Sequence, residues 1–442
     1  MVDNIVIIDV VGLEKRHISS DLTPNIYQIS EEGQLRKLQP VFPAVTCTVQ
    51  SSILSGAYPH EHGIISNGIY DRKNYSVSFW EQSSNLVESK RFWDLIKQNK
   101  LDYKCAVLFW QNIMYSNADF VLTPRPLHMD DEMIMWCYSK PVALYDELVK
   151  GIGNFDLTSY WGPLASYKSS EWITKATEMV LEQKPNVLVT YIPHLDYVFQ
   201  KSGRTTYDRK EIKFVDDLIG RIVDKTIDIG IRDKTHFILL SEYGFNDVDA
   251  DISLNRILRD NDMLSVRKIN GKEYLDLELS KAFAMADHQI AHVFIRDQHV
   301  DHVKKILENT DGVDRVLDKY GKSEFNVDHE RSGELIAISE RNKWFSYYWW
   351  WEEEYAPPFA RKVDIHRKPG YDPSELFFDP KTRSIPLNGK SIRGSHGRIP
   401  QSDDEDSEFA VYVSSKKEDV ELNEEGNINA TSIGKYLNKV LG

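Results

Sequence analysis

The sequence of 442 residues is 41% hydrophobic, 11% aromatic and 28% charged, a composition that supports a large core and excludes a disordered or fibrous protein. Its 54 basic and 68 acidic residues give a formal net charge of −14, and without a long basic run this charge disfavours a nucleic-acid scaffold. Three scattered cysteines, Cys47, Cys105 and Cys137, are too few for a disulfide framework and indicate thiols. The sequence has neither an apolar run of membrane-spanning length nor a signal-peptide pattern, so we expect a cytoplasmic protein without membrane contact.

Apolar segments typical of buried strands recur along the chain and alternate with segments of helical periodicity. The first segment, MVDNIVIIDV, ends near the carboxylate of Asp9. Alternation of this kind predicts an α/β fold, a three-layer α/β/α sandwich whose mostly parallel central sheet carries functional residues beyond the carboxyl ends of its strands. The other predicted elements are strands at Tyr103–Phe109, Asn186–Ile192, His236–Leu240 and His292–Ile295, and helices at Ser170–Glu182 and Asp208–Ile227.

The pattern changes after about residue 300, where a charged helix-like stretch is followed by segments rich in aromatic residues and proline. This change predicts an inserted cap over 300–388, with the catalytic core formed by 1–299 and 389–442. The chain then returns through SIRGSHGRIP, an acidic run at Asp403–Glu408 and a further predicted strand, FAVYV.

Thr46 lies among small residues directly before a helix-like stretch. At a helix N-terminus its hydroxyl would face backbone N–H groups that favour an anion, which suits a nucleophile that accepts a phosphoryl group. The alternative is that Thr46 only caps the helix, as threonine commonly does.

Four other polar side chains follow apolar strands or lie in glycine-flanked turns: Asp9, Asp196, Glu242 and His396. Each alone is more typical of a helix cap, a turn or a structural histidine. Together, oxygen and nitrogen ligands brought from separate strand ends are typical of a two-metal hydrolase site.

In these residues the sequence resembles the alkaline phosphatase superfamily, and within it the type I phosphodiesterase/nucleotide pyrophosphatase branch. The resemblance covers about the first 250 residues and resumes at GSHG near the C-terminus. It implies that Thr46 is the nucleophile, that Asn67 donates to the transferring phosphoryl group, and that a covalent phosphothreonine forms before a metal-bound hydroxide releases it. The matching positions, in chain order, are Asp9, Thr46, Ser55-Gly56, Pro59, His62-Gly63-Ile64, Asn67, Asp196 and His396.

Three positions depart from the branch, which has a histidine where this chain has Gln200 and an Asp-His pair where it has Glu242-Tyr243. The resemblance therefore implies a site for two divalent cations with more oxygen ligands than a zinc pair usually has, so Mn²⁺ or Mg²⁺ join Zn²⁺ as candidates. The expected ligands are Asp9, Thr46, Asp196, Gln200, Glu242, His288 and His396.

His288 enters this set as a compensating imidazole, because it lies with Asp287 just ahead of a predicted strand. The alternative is that Asp287 and His288 only form a turn. His366 and Lys368 are candidate substrate-anchoring cations, with an exposed cap loop as the equally weighted alternative. The aromatic cluster Trp344–Trp351 is interpreted as the core of the cap in preference to a stacking platform for a nucleobase.

The sequence thus favours a metal-dependent phosphodiesterase or nucleotide pyrophosphatase that acts on a small phosphorylated substrate, with nucleotides as candidates. A phosphomonoesterase or phosphonate hydrolase on the same scaffold is the alternative within the enzyme class. The missing imidazoles also leave a third alternative, a catalytically inactive member of the family that binds a phosphorylated ligand without turnover.

Overall fold

The computed structural model describes residues 4–100, 102–129, 133–400 and 409–441, so the acidic run predicted at Asp403–Glu408 lies outside the described residues. The strands of this part are β1 (Asn4–Val10), β2 (Gln34–Gln39), β3 (Gly68–Asp71), β4 (Ser76–Phe79), β5 (Cys105–Leu108), β6 (Phe120–Pro124), β7 (Leu127–His128), β8 (Met133–Ile134), β9 (Cys137–Lys140), β10 (Val187–Ile192), β11 (Thr235–Leu240), β12 (Asn246–Asp247), β13 (Ala250–Ile252), β14 (Val266–Ile269), β15 (Lys272–Leu275), β16 (Ala282–Asp287), β17 (Ile290–Ile295), β18 (Val313–Leu317), β19 (Leu335–Ser339), β20 (Lys343–Phe345), β21 (Gly394–Ser395), β22 (Ala410–Ser414) and β23 (Ile428–Asn429). The α-helices are α1 (Pro24–Glu32), α2 (Thr46–Ser55), α3 (Pro59–His62), α4 (Phe92–Asn99), α5 (Leu144–Ile152), α6 (Leu157–Tyr160), α7 (Tyr167–Leu181), α8 (His194–Ser202), α9 (Arg209–Asp228), α10 (Leu254–Asp260), α11 (Val300–Glu308), α12 (Lys319–Glu324) and α13 (Ala430–Leu441).

Within the described residues, nine strands form the central sheet in the order β23-β2-β22-β11-β1-β10-β5-β6-β9. The strands β11, β1, β10, β5 and β6 run parallel to one another, whereas β22 is antiparallel to β11 and β2, and β9 is antiparallel to β6. Every residue of β10 and β11 is buried, as parallel strands covered on both faces require. The predicted mixed α/β fold with a mostly parallel sheet is confirmed.

Helices cover both faces of this sheet. One group is formed by α7 and α1 packed against α9, and the other by α2 and α4 packed against α13. The predicted helices at Ser170–Glu182 and Asp208–Ile227 correspond to α7 and α9. None of the described helices combines the length and the apolar character needed to cross a bilayer.

Strand register brings the ends of β1, β10 and β11 to one edge of the sheet. Asp9 pairs with Tyr191 on one side and with Leu240 on the other. The residues that follow β10 and β11 therefore leave the sheet beside Asp9, where parallel α/β sheets carry their sites.

A second sheet of four antiparallel strands, β16-β17-β19-β18, lies between β11 and β22 in the chain. The predicted strand His292–Ile295 exists within β17, but its placement among the parallel strands was wrong. A tight hairpin joins β16 to β17, and such a connection makes neighbouring strands antiparallel. The second sheet takes strands from both sides of residue 300, where the sequence places the start of the cap.

The aromatic cluster Trp344–Trp351 packs mostly into the core of the second sheet. Trp349 and Trp350 are almost completely buried in it with Tyr347 and Tyr348, whereas Trp351 at the end of the cluster is exposed. The burial favours the core interpretation of this cluster over a stacking platform.

Two buried histidines pack where the second sheet meets the central core. His292 in β17 bonds the carbonyl of Ile65 at 3.0 Å, and His62 in α3 bonds the hydroxyl of Ser52 at 2.8 Å. Burial lowers the pKa of His292 to about 4 and that of His62 to about 3.

We expect His292 to make the protein sensitive to acid. Between pH about 6.5 and about 4 the unfolded chain takes up a proton that folded His292 does not, so the free energy of unfolding falls as the pH falls. His292→Asn removes this contribution. For each unit by which the pH falls across that window, the free energy of unfolding of the variant should rise by about 1 kcal/mol relative to that of wild type. Urea unfolding at several pH values measures the difference, with His302→Asn, at an exposed position of α11, as the matched control. A difference between wild type and His292→Asn that does not vary with pH would contradict this expectation.

Candidate active site

Asp9 and Glu242 form a pair of buried carboxyl groups at the edge of the central sheet. Asp9 is the penultimate residue of β1, and Glu242 lies two residues beyond β11. Both side chains have no exposed surface. Burial raises the pKa of Asp9 to about 7, and burial together with the charge of Asp9 raises the pKa of Glu242 well above its usual range. Two carboxyl groups this close together in the interior cannot both be charged without compensation, and either a proton or a cation can supply it.

Thr46 is the first residue of α2, and its hydroxyl faces the site. The preceding residue, Val45, is the N-cap of the helix. The Thr46 Oγ1 atom lies 2.8 Å from the Tyr243 hydroxyl. The side chain of Thr46 therefore does not cap α2, because its hydroxyl bonds Tyr243 and not a helix N–H group.

Gln50 links this helix to the carboxyl pair. It lies one turn beyond Thr46 on α2, so the two side chains share a face. Its amide Nε2 donates to Asp9 Oδ2 at 3.1 Å, and its Oε1 accepts from the backbone N–H of Gln111 at 2.7 Å. Gln50 thereby fixes one oxygen of Asp9.

Asp196 and Gln200 lie on the first turns of α8, directly after β10. Gln200 Nε2 donates to Asp196 Oδ2 at 2.8 Å, as the four-residue spacing on a helix allows. The hydroxyl of Tyr371, from the second half of the chain, donates to Gln200 Oε1 at 2.8 Å. Burial raises the pKa of Asp196 to about 6.

His396 is presented by the glycine-flanked turn that the sequence predicts. A Cβ at Gly394 would lie 2.2 Å from the carbonyl oxygen of Phe199, so only glycine permits this approach to α8. His396 Nδ1 bonds the carbonyl of Ala44 at 2.8 Å, and its Nε2 lies 3.9 Å from Asp196 Oδ1. Burial, with the neighbouring His288, holds the pKa of His396 well below its usual range.

Stacked rings connect both halves of the site. Tyr243 stacks on His396 with ring centroids 3.6 Å apart and an interplanar angle of 8°. His288 lies 3.8 Å from the ring of His396 and 3.8 Å from that of Tyr371. His288 occupies the turn between β16 and β17 with a φ of 61°, a left-handed conformation that is uncommon for a residue other than glycine.

Asn67 faces the start of α2. Its Oδ1 accepts from the backbone N–H of Cys47 at 2.9 Å, and its Nδ2 donates to Asp287 Oδ1 at 3.1 Å. The side chain of Asn67 therefore lies close to Thr46 in space, although the two residues are 21 positions apart in the sequence.

Hydrogen bonds and ring contacts connect most of the predicted site residues, namely Thr46, Asn67, Asp196, Gln200, His288 and His396. The sequence marks Tyr243 only as a departure from the family branch, and it indicates no role for Gln50 or Tyr371. The position of Gln50 one helical turn after Thr46 was a usable signal. Nothing in the sequence signalled that Tyr371 reaches Gln200.

The two candidate substrate-anchoring residues, His366 and Lys368, differ in exposure. Lys368 is buried and pairs with Asp372 at 2.7 Å and with Glu375 at 2.6 Å. His366 is exposed. The Lys368 ammonium is therefore already compensated by two carboxylates, which leaves little charge for a substrate.

Unpaired buried atoms test whether the site suits metal ions. In the described part of the chain, five side-chain atoms of the site are buried without a hydrogen-bond partner: Asp9 Oδ1, Asp196 Oδ1, both carboxylate oxygens of Glu242 and His396 Nε2. Buried polar atoms normally have partners, and these atom types are ligands for divalent cations. The same described residues contain no group of three or more His, Cys, Asp or Glu side chains arranged to hold a metal ion. The donors therefore fit as two pairs, Asp9 with Glu242 and Asp196 with His396.

Comparison with known families identifies the chain's relatives. The family model for type I phosphodiesterase / nucleotide pyrophosphatase matches residues 5–372. The chain therefore belongs to this family, a branch of the alkaline phosphatase superfamily.

The curated relatives align with this chain over only part of their own length. An uncharacterized pyrophosphatase/phosphodiesterase of Schizosaccharomyces pombe is 23% identical over 263 residues, which cover 58% of this chain and 46% of the relative. A bis(5'-adenosyl)-triphosphatase of Mus musculus is 24% identical over 258 residues, covering 56% and 47%. The chain thus spans about half the length of these relatives.

Solved structures share the fold over nearly the whole chain. Phosphonoacetate hydrolase from Sinorhizobium meliloti, in complex with phosphonoacetate, superposes with a TM-score of 0.64 at 14% identity, covering 100% of this chain and 96% of that one. Murine ectonucleotide pyrophosphatase / phosphodiesterase 5, an inactive form in complex with AMP, superposes with a TM-score of 0.61 at 13% identity, covering 99% and 95%.

Proposed function

We propose that this protein hydrolyses phosphate diesters or pyrophosphate bonds of small substrates, with nucleotides as the leading class, through a covalent intermediate on Thr46. The observation that carries the proposal is the placement of the Thr46 hydroxyl at the start of α2, where Asn67 bonds the next residue along the helix and Asp9 bonds the residue one turn further on. Family membership and the names of the curated relatives support this class of reaction.

The two donor pairs would hold the divalent cations of the site. Asp9 and Glu242, with Thr46, would hold one, and Asp196 and His396, with Gln200, the other; zinc or manganese are the first candidates and magnesium the third. His288, beside His396, is a further proposed ligand. When bound, such cations supply positive charge that stabilises an alkoxide and the oxygens of a phosphoryl group.

The chain's own residues account for the order of events. Thr46 Oγ attacks phosphorus in line and gives up its proton to solvent, the bond to the leaving oxygen breaks, and that oxygen departs with the electron pair. Asn67 donates to a non-bridging oxygen whose charge rises in the transition state. The oxygen of a water molecule then attacks phosphorus, the bond from phosphorus to Thr46 Oγ breaks, and Oγ takes up a proton, which restores the hydroxyl of Thr46. Tyr243 remains a neutral phenol, because burial and the charge of Glu242 raise its pKa well above the usual range, and its hydrogen bond orients Thr46.

A turnover assay tests the proposal. Protein purified without chelator is analysed for metal content and assayed with bis-p-nitrophenyl phosphate and p-nitrophenyl phosphate, each with added Mn²⁺, Zn²⁺ or Mg²⁺. We expect diester hydrolysis faster than monoester hydrolysis. Faster hydrolysis of the monoester would favour a phosphomonoesterase on this scaffold.

A phosphate-binding protein without turnover is the second candidate function. It is favoured by the Tyr243 hydroxyl at Thr46 and by the Tyr371 hydroxyl at Gln200, which are neutral groups bound where cations would act. Binding of AMP in calorimetry, without hydrolysis of either ester under any cation, would support it over the enzyme.

Gln200→His is expected to shift the preferred metal toward zinc. An imidazole in place of the amide adds a nitrogen ligand next to Asp196 and His396, and nitrogen ligands favour Zn²⁺ over Mg²⁺. Competition between Zn²⁺ and Mn²⁺, measured by elemental analysis, gives the preference. Gln200→Glu is the matched control, because it adds a carboxylate oxygen and should not favour zinc. An unchanged metal preference in Gln200→His would show that residue 200 is not a ligand.

A further inference from the structure

The carboxylate of Asp287 collects hydrogen bonds from three neighbouring residues. Asp287 ends β16 in the second sheet and has no exposed surface. It accepts from the Ser66 hydroxyl at 2.6 Å, the Asn67 backbone N–H at 2.8 Å, the Asn67 side-chain Nδ2 at 3.1 Å and the His288 ring Nδ1 at 2.7 Å. These donors satisfy both of its oxygens, so the buried charge is well compensated.

Both ends of the Asn67 side-chain amide make hydrogen bonds. Its Oδ1 accepts from Cys47 N–H, next to Thr46, while its Nδ2 donates to Asp287. Since Asp287 as a carboxylate only accepts, it fixes which end of the amide carries the N–H groups. A primary amide has two N–H bonds, so the second remains available for an oxygen of the substrate.

The same carboxylate also holds His288. The ring of His288 lies between those of Tyr371 and His396, and its Nδ1 is fixed by Asp287. A left-handed φ at a residue other than glycine costs energy and persists only where surrounding contacts hold it. The hairpin between β16 and β17 is thus built to present Asp287 and His288 to the central site.

We propose that Asp287 is a positioning residue for the phosphoryl-transfer reaction, through which the second sheet orients Asn67 and His288 in the active site. This inference rests on the proposed function. It explains why a residue about 220 positions away from Asn67 bonds both its backbone and its side chain. Asp287 itself does not touch the substrate; it acts through the orientation of its partners.

The test is Asp287→Asn in the full chain, purified without chelator and assayed with bis-p-nitrophenyl phosphate. The new amide offers one accepting oxygen and one donating nitrogen, so it cannot accept from all the present donors. We expect kcat to fall by about 10- to 100-fold, somewhat less than the loss of a whole transition-state donor, while KM changes less than about 3-fold. A purely structural role would also lower the apparent kcat at unchanged KM, through a smaller active fraction. The rate is therefore expressed per folded chain, counted from the amplitude of the thermal unfolding transition, and an unchanged kcat per folded chain would indicate a structural role.

A double-mutant cycle with Asn67→Ala identifies the partner. If Asp287 acts mainly through Asn67, then Asp287→Asn lowers kcat far less in the Asn67→Ala background than in wild type. Asp287→Glu keeps the charge but displaces it, and we expect it also to lower kcat. It replaces Asp287→Asn in the cycle if that variant does not fold.

Asp216→Asn is the matched control. Asp216 in α9 is also buried, and it also accepts from an asparagine side chain and two backbone N–H groups: Asn25 Nδ2 at 2.9 Å, Asn25 N at 3.1 Å and Ile26 N at 2.9 Å. Its partners lie on α1, and in the described part of the chain they make no hydrogen bond to Thr46. Asp216→Asn should lower the melting temperature and leave kcat unchanged.

The outcomes separate the two proposals. An active wild type whose kcat is unchanged in Asp287→Asn overturns the positioning role and leaves the proposed function intact. Fully additive effects of Asp287→Asn with Asn67→Ala and also with His288→Ala overturn it, because Asp287 would then act through neither partner. A wild type that hydrolyses neither ester under any cation overturns the proposed function, and the positioning role with it.

Discussion

Thr46→Val is expected to reduce phosphodiester hydrolysis by at least about a thousand-fold. Valine keeps the branched shape of threonine and removes only the hydroxyl, so the packing of α2 is retained while the nucleophile is lost. The variant loses only one hydrogen bond, the one to Tyr243, so the fold should persist. Initial rates with bis-p-nitrophenyl phosphate, together with the melting temperature, measure both effects.

Thr46→Ser is the matched control for this loss. It keeps a hydroxyl at the same atom position and removes one methyl group, so it should retain a measurable rate that Thr46→Val lacks. Turnover of Thr46→Val at a rate near that of wild type, in protein free of contaminating phosphatase, would show that another group attacks phosphorus.

Glu242→Gln is expected to stabilise the metal-free protein and to abolish activity. The variant removes one of two facing buried carboxyl groups, and with it their mutual repulsion. It also removes an anionic ligand from the Asp9 pair, so we expect about one fewer divalent ion per chain and a rate loss of at least about 100-fold. A site built for function is often less stable than the fold allows.

The pH dependence of this stabilisation has a defined sign. Because burial and the charge of Asp9 raise the pKa of Glu242 well above its usual value of 4.5, the metal-free fold retains a proton on Glu242 that the unfolded chain loses, and the stability of the wild type falls as the pH rises above about 4.5. The advantage of Glu242→Gln over wild type should therefore be larger at pH 8 than at pH 5. Urea unfolding in the presence of a chelator measures it. Glu353→Gln serves as a control, because Glu353 is exposed and pairs with Arg361 at the surface. A Glu242→Gln variant that is no more stable than wild type at pH 8 would contradict the account.

Much of the site could be predicted because the groups concerned lie at the ends of strands. Asp9 follows an apolar run, Asp196 and Glu242 follow two more, and parallel strands of a single sheet deliver their carboxyl ends to one edge. Thr46 could be predicted from its place at the start of a helix. In these cases local sequence pattern and final position are directly related.

The remaining contacts depend on distant segments that no local pattern connects. The link from Asp287 to Asn67 spans two sheets, and the hydroxyl of Tyr371 reaches Gln200 across 171 residues. The strand at His292 carries the same apolar signature as the parallel strands, so its membership of a second, antiparallel sheet could not be derived from that signature. Short apolar runs indicate a strand but do not indicate which sheet it joins.

The stereochemical course at phosphorus tests the role of Thr46 most directly. A phosphorothioate diester of known configuration is hydrolysed in isotopically labelled water, and the configuration of the product is determined. Attack by Thr46 followed by attack by water makes two in-line displacements, each with inversion, so the account predicts net retention. Net inversion would show that water attacks the substrate directly, and it would contradict a covalent intermediate on Thr46.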